Sequence, residues 1–175
     1  MTKKEYNKLE NSIESFELIK QKSEAYWHKK QLDLCWGYQI QEGTIWRKGL
    51  SERELEDFQK LVSLKFPQSL RNFYLTMNGL NKPGINVNGG EGKPSFHPTF
   101  YSYPEDIAII KEQIKTAFSY SPEKLAKSSK IFPYFGHRFL DFTTTEKVLS
   151  IRYEDIIDWS ENLAKGVAKD IFAFY

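Results

Sequence analysis

The sequence holds a single cysteine, Cys35, so no disulfide can form within the chain, and a reducing compartment is the expected setting. Histidine is nearly as scarce. His28, His97 and His137 lie far apart and give no H-E-x-x-H or C-x-x-C spacing, so no metal and no cofactor is expected. No run approaches the roughly 18 uncharged apolar residues that a membrane span needs. The opening stretch, MTKKEYNKLENSIESFELIK, is charged throughout and lacks the apolar run of a signal peptide, which makes a cytoplasmic location the expectation. The net charge of +2 is too small to gather nucleic acid. A phosphate loop is missing as well. If Gly92-Lys93 were its G-K pair, Val87 would stand at the first glycine and Pro94 at the hydroxyl position.

Aromatic residues, by contrast, are plentiful at 15%, enough both to fill a core and to supply interface anchors. The 175 residues favour one domain. Leu9, Ile13, Phe16 and Ile19 recur at helical spacing and predict a helix over roughly residues 4–27. LDLCWGYQI and QEGTIWRKGL read as strand or extended connector, with Cys35 a small buried apolar group.

Ser51 and Glu54 form an S-x-x-E capping box, with Leu55, Phe58, Leu61 and Val62 on one face of the helix that follows. Pro67 ends that helix and opens the next, which turns Leu70, Phe73, Tyr74 and Met77 inward. Asn78-Gly79 reads as a left-handed stop for it. Residues 81–95 are a Gly, Asn and Pro-rich surface loop or hairpin tip. A short strand and a helix from about Pro104 come next. KIFPYFGHRFLDF and KVLSIRY then read as two strands. A closing helix carries Ile156, Trp159, Leu163, Val167 and Ile171, with Glu154, Asp155, Asp158 and Glu161 at its positive end.

The stretch FGHRFLDF poses the catalytic question. As one strand it puts His137 and Asp141 on the same side but about 13 Å apart, too far for a dyad, although Gly136 permits a bulge. His137 and Arg138 are therefore expected to be structural, with Arg138 satisfying carboxylates or carbonyls at a sheet edge.

WRKGLSERELEDFQKLVSLKFPQSLRNFYLTMNGL, through Gly49, Ser51, Glu54, Pro67, Asn78 and Gly79, resembles the N-terminal signature of the SUKH superfamily. That superfamily includes the fungal Smi/Knr regulators and many bacterial proteins. IFPYFGHRFLDF, through Gly136, His137 and Arg138, and KVLSIRYEDIIDWSENL resemble one bacterial branch. The resemblance implies an α+β fold with a mainly antiparallel sheet packed by helices. It covers about Trp46 to Ile171, so a SUKH-like domain is expected at 46–175; residues 1–45 lie outside the resemblance and are expected, from their own periodicity, to be an extra N-terminal helix and connector of the same domain. It also implies a non-catalytic protein-binding module, with a cognate toxin domain as the leading partner and an immunity protein as the leading role. A regulatory scaffold and a small enzyme using His137 are the alternatives. Inhibitors of basic nuclease toxins are usually acidic, and this chain is nearly neutral. Partner contacts are expected at Phe100, Tyr101 and Tyr103, at the base of the glycine-rich loop.

Overall fold

The computed structural model describes residues 1–28, 38–87, 90–120 and 124–173. Cys35 and Trp36 lie outside the described residues.

The N-terminal segment forms two helices, α1 (Lys3–Asn7) and α2 (Ile13–Trp27), where the periodicity had predicted one. The break falls at Asn11 and Ser12, residues whose side chains compete with helical hydrogen bonds. Ser12 caps α2 by accepting from the Ser15 amide at 3.2 Å. The Asn11 side chain instead accepts from the Ala164 amide at 3.0 Å, and Leu9 is buried between the helices.

Strand β1 (Trp46–Lys48) leads into α3 (Glu52–Val62) through the capping box. Ser51 N donates to Glu54 Oε2 at 2.8 Å and Glu54 N donates to Ser51 Oγ at 3.3 Å. Leu55 and Phe58 are fully buried, but Leu61 is 47% exposed and leaves the apolar face. Pro67 stands at the N-cap of α4 (Gln68–Thr76), where its missing N–H costs nothing. Leu70, Phe73, Tyr74 and Met77 all face inward.

Asn78-Gly79 is not the stop of α4, which ends at Thr76 and passes directly into β2 (Met77–Leu80). Asn78 uses its side chain as a peptide mimic. Its Nδ2 donates to Tyr103 O at 2.6 Å and its Oδ1 accepts from Tyr103 N at 2.8 Å. Gly79 has φ +68°, and a Cβ there would lie 2.5 Å from Ser102 Cβ, so only glycine lets the two segments approach.

Hairpin β3 (Gly84–Asn86) and β4 (Ser95–His97) fills the glycine-rich segment. Helix α5 (Ile107–Tyr120) starts three residues after Pro104. The segment Ile131–Phe142 is a hairpin rather than one strand: β5 (Ile131–Phe135) turns at Gly136-His137 into β6 (Arg138–Asp141). Phe135 pairs with Arg138 across this two-residue turn, and Gly136 supplies its positive φ of +46°. The closing segment is also divided, into β8 (Asp155–Ser160) and α6 (Leu163–Phe172). Asn162 caps α6 by accepting from Lys165 N at 2.8 Å. Glu154, Asp155, Asp158 and Glu161 thus precede the helix instead of filling its first turn, which holds no acidic residue.

With β7 (Lys147–Arg152), these strands make a four-stranded antiparallel sheet ordered β5-β6-β7-β8. Both faces are covered. Phe132, Tyr134, Leu140 and Val148 join the main core with α2, α3, α4 and α6. Ile131, Phe139, Leu149 and Ile151 form a second cluster with Ala117 of α5. The alternation follows from the two-residue period of a strand. The fold is α+β, with antiparallel sheets and helices packed on them. Phe16, Ile19 and Trp27 of α2 enter the same main core.

The high aromatic content goes largely into that core. Phe58 alone meets Phe66, Tyr74, Tyr103 and Phe132, with centroids 4.8 to 5.7 Å apart.

Candidate functional site

The residues of the Gly136-His137-Arg138 turn separate by depth. Arg138 lies on β6, an interior strand, and is 1% exposed, so it does not sit at a sheet edge as the sequence reading expected. Its Nε donates to Asp170 Oδ1 of α6 at 3.2 Å. Its Nη1 donates to Ser150 Oγ and to His137 Nε2. Its guanidinium carbon sits 3.6 Å from the centroid of the Trp159 ring, a cation–π contact. Asp170 also accepts from the Tyr134 hydroxyl at 2.8 Å. Burial pushes the Asp170 carboxyl up to about 6, against the opposing pull of Arg138, Tyr134 and Trp159.

His137 links this buried centre to the surface. A guanidinium only donates, so the Nε2 lone pair of His137 is committed to Arg138. Burial, with the nearby charges of Arg138 and Arg152, pushes the imidazole down to about 4. The ring is neutral at physiological pH and is a weak base. Asp141 sits at the far end of β6 and accepts from Thr143 N at 3.0 Å and from Thr143 Oγ1 at 2.6 Å, so no His137–Asp141 pair forms.

Outside His137 opens a groove of about 490 Å³. Its walls come from distant parts of the chain: Tyr38, His97 of β4, Thr99, Gln113 of α5, the Gly136-His137 turn, and Arg152-Tyr153 at the β7–β8 turn. Backbone bonds pin several of these walls. Gln39 and Ile85 exchange bonds of 2.7 and 2.8 Å, which adds the Tyr38 segment to the β3–β4 hairpin. Gly136 N donates to Thr99 O at 3.0 Å, and Ile151 N donates to His137 O at 2.9 Å. His97 Nδ1 donates to Pro98 O at 2.7 Å, since a carbonyl only accepts, and its ring lies 5.6 Å from that of Tyr38.

Phe100 and Tyr101 support this groove from within. They are 2% and 1% exposed, which corrects the expectation that they form an exposed partner surface. Phe100 bridges to Phe135 and packs between Trp46 and Phe135, with centroids at 4.7 and 4.5 Å. The Tyr101 hydroxyl donates to Gly136 O at 3.0 Å. Tyr103 is half-buried and stacks on Phe58 at 4.8 Å. Among the described residues the exposed rings lie elsewhere, at Phe96 (57%), Tyr120 (48%) and Tyr153 (63%). Local sequence carries no signal that selects Tyr38, His97, Arg152 and Tyr153, because only the folded topology brings them together.

A second group of motif residues meets near the start of α3. Gly49, Ser51, Glu54 and Asn78 border a separate polar hollow. A Cβ on Gly49 would fall 1.9 Å from Leu75 O, so the chain crosses α4 there at backbone contact distance. Among the described residues, no group of three or more His, Cys, Asp or Glu could hold a metal ion. None of the described helices is long and apolar enough to cross a membrane.

The profile of the SMI1 / KNR4 family (SUKH-1) matches residues 49–174. The chain belongs to this family. A comparison with curated proteins found no match. The SUKH-1 match starts at Gly49, the close-contact glycine, and takes in the capping box, the Asn78 clamp and the Gly136-His137-Arg138 turn. Helices α1 and α2 lie before the matched residues, although α2 shares the main core.

Proposed function

We propose that this SUKH-1 chain is a non-catalytic protein-binding module and, more specifically, an immunity protein that occupies and blocks a cognate toxin domain in the cytoplasm. One observation carries the reading: a pinned groove lined by Tyr38, Tyr153 and Arg152. Tyrosine and arginine are residue types that concentrate binding energy in protein interfaces. The commitment of His137 to Arg138 supports the non-catalytic part, because it withdraws the imidazole of the Gly136-His137-Arg138 turn from general-base work. The near-neutral charge fits recognition through rings and one cation rather than through a broad acidic field.

The test is affinity capture from native cells, followed by purification of the captured protein and assay of its activity with and without the chain. The immunity reading expects the partner to be toxic when expressed alone and silent at equimolar chain. A partner that stays fully active when bound would mark a regulatory scaffold. Turnover of a small molecule by the chain alone would reject the binding-module reading.

A further inference from the structure

The two edges of the four-stranded sheet differ. On the β5 side, Tyr101 N donates to Tyr134 O at 3.1 Å and Gly136 N donates to Thr99 O at 3.0 Å, so segment 99–101 covers that edge. Every residue of β5 is buried. On the β8 side the edge is open along Asp155-Ile156-Ile157-Asp158. Ile151 N donates to His137 O on the β6 side, so the main-chain groups of Ile151 point away from β8. Facing residues of an antiparallel pair either point toward each other or both point away. Ile156 faces Ile151 and therefore turns its N–H and C=O outward, as does Asp158 two positions on. Among the described residues nothing bonds to these four groups on the outer side. The flanking carbonyls are taken, Glu154 O by Lys124 at 2.7 Å and Trp159 O by Lys169 at 3.2 Å, which confines the open edge to four residues.

The side chains of this window read acid-apolar-apolar-acid. Ile157 is 48% exposed, and Ile156 packs partly into the second cluster on the other face. Asp155 is exposed and has no side-chain partner among the described residues. Asp158 gives Oδ1 to Lys147 at 2.8 Å and keeps Oδ2.

We propose that this edge takes an extended segment of the protein partner as a fifth strand, and that the segment reads basic-apolar-apolar-basic. The inference rests on the protein-binding reading above and names the chemistry of the partner. Ile156 and Asp158 supply the main-chain bonds. Directly opposed side chains on neighbouring strands lie about 4.5–5.5 Å apart, so one Lys or Arg faces Asp155 and another faces Asp158, with apolar residues beside Ile156 and Ile157. The pattern is the same for a parallel and an antiparallel segment. A second copy of β8 fits worse, because it brings its own carboxylates to an edge that already carries two. The edge begins at the Tyr153-Glu154 turn, and Tyr153 lines the groove, so one partner segment reaches both.

The test presents the full chain with a displayed library of random short peptides and follows amide exchange by NMR with and without a selected peptide. Selected peptides are expected to carry two basic residues three positions apart with apolar residues between them. Changing either to Gln should weaken binding about tenfold, and added salt should weaken it further. The amides of Ile156 and Asp158 should exchange fast in the free chain and slowly in the complex. The double variant Asp155→Asn with Asp158→Asn should bind the basic peptides about tenfold or more weakly. Both positions are exposed, and the double variant gives up only the surface pair with Lys147. Peptides without basic residues, or Ile156 and Asp158 amides that stay fast in the complex, would overturn the inference. So would slowing of the same amides on raising the concentration of the chain alone, which assigns the edge to a second copy. A double variant that aggregates yet keeps its peptide affinity would make the carboxylates guards of the edge and overturn it too. A native partner held equally well by wild type and the double variant overturns this inference but leaves the protein-binding reading intact. Failure to capture any native partner counts against that reading instead, whatever the peptides show.

Discussion

Arg138 on β6 and Asp170 on α6 form an ion pair at 3.2 Å with both side chains 1% exposed. They stand 32 residues apart in sequence and join the sheet to the last helix. Taking two charges out of water is expensive, and the pair is supported by Tyr134, Ser150, His137 and Trp159. Removing one partner strands the other. Arg138→Leu or Asp170→Asn should each cost about 3–5 kcal/mol in urea unfolding. The double variant Arg138→Met with Asp170→Leu should recover much of that loss. Single variants that lose less than about 1 kcal/mol would contradict a buried, mutually dependent pair.

His137 should impose a pH dependence. Its folded pKa of about 4 lies below the ordinary 6.5. Between those values the unfolded chain binds a proton that the folded chain refuses, so this group adds stability as pH rises from about 4 to 6.5 and removes it as pH falls. Asp170 titrates in the opposite sense, but it does so in wild type and variant alike. The difference in urea midpoint between wild type and His137→Asn should therefore shrink or reverse as pH falls through that window. Parallel curves would remove His137 as the source.

Phe100 separates packing from recognition. It lies among Trp46, Tyr134 and Phe135, and Phe100→Ala should cost about 3–5 kcal/mol. Under conditions where the variant stays folded, partner affinity should follow the groove residues instead. A folded, fully stable Phe100→Ala protein would show that the ring is not part of the core.

Gly49 tests the close crossing at the start of the matched family region. Its missing Cβ leaves room for the Leu75 carbonyl, and backbone cannot swing aside as a side chain can. Gly49→Ala should destabilise by at least about 1–3 kcal/mol. Ser51→Ala, two residues on, should cost only about 0.5–2 kcal/mol, the loss of one helix cap. A reversed order of the two costs would contradict the tight crossing.

These contrasts also mark what the sequence revealed. The Ser51–Glu54 box is a local code, and it placed α3 correctly. Ile156, Trp159 and Leu163 matched a helical period only because the count ran across the β8–α6 junction, where Asn162 starts a new element. KIFPYFGHRFLDF read as one strand because period-two alternation does not register a two-residue turn. Glycine at its first position was the available signal. Sequence cannot separate the buried Phe100 and Tyr101 from surface rings, because aromatic residues suit cores and interfaces alike and only burial decides between them. Arg138 was legible as structural, but Asp170, its partner across the fold, was not. The groove was invisible in sequence because its walls run from Tyr38 to Tyr153.

The most direct test of the groove as a partner site is calorimetric titration of the purified native partner with wild type, Arg152→Gln and Tyr153→Asn. Asn tolerates the left-handed backbone of Tyr153, where φ is +54°, so the turn should survive the change. Both variants are expected to stay folded, with Tyr153→Asn losing its edge contact with Tyr120 at 5.3 Å, and to bind about tenfold or more weakly. Equal affinity across the three proteins would contradict the account and place the interface elsewhere.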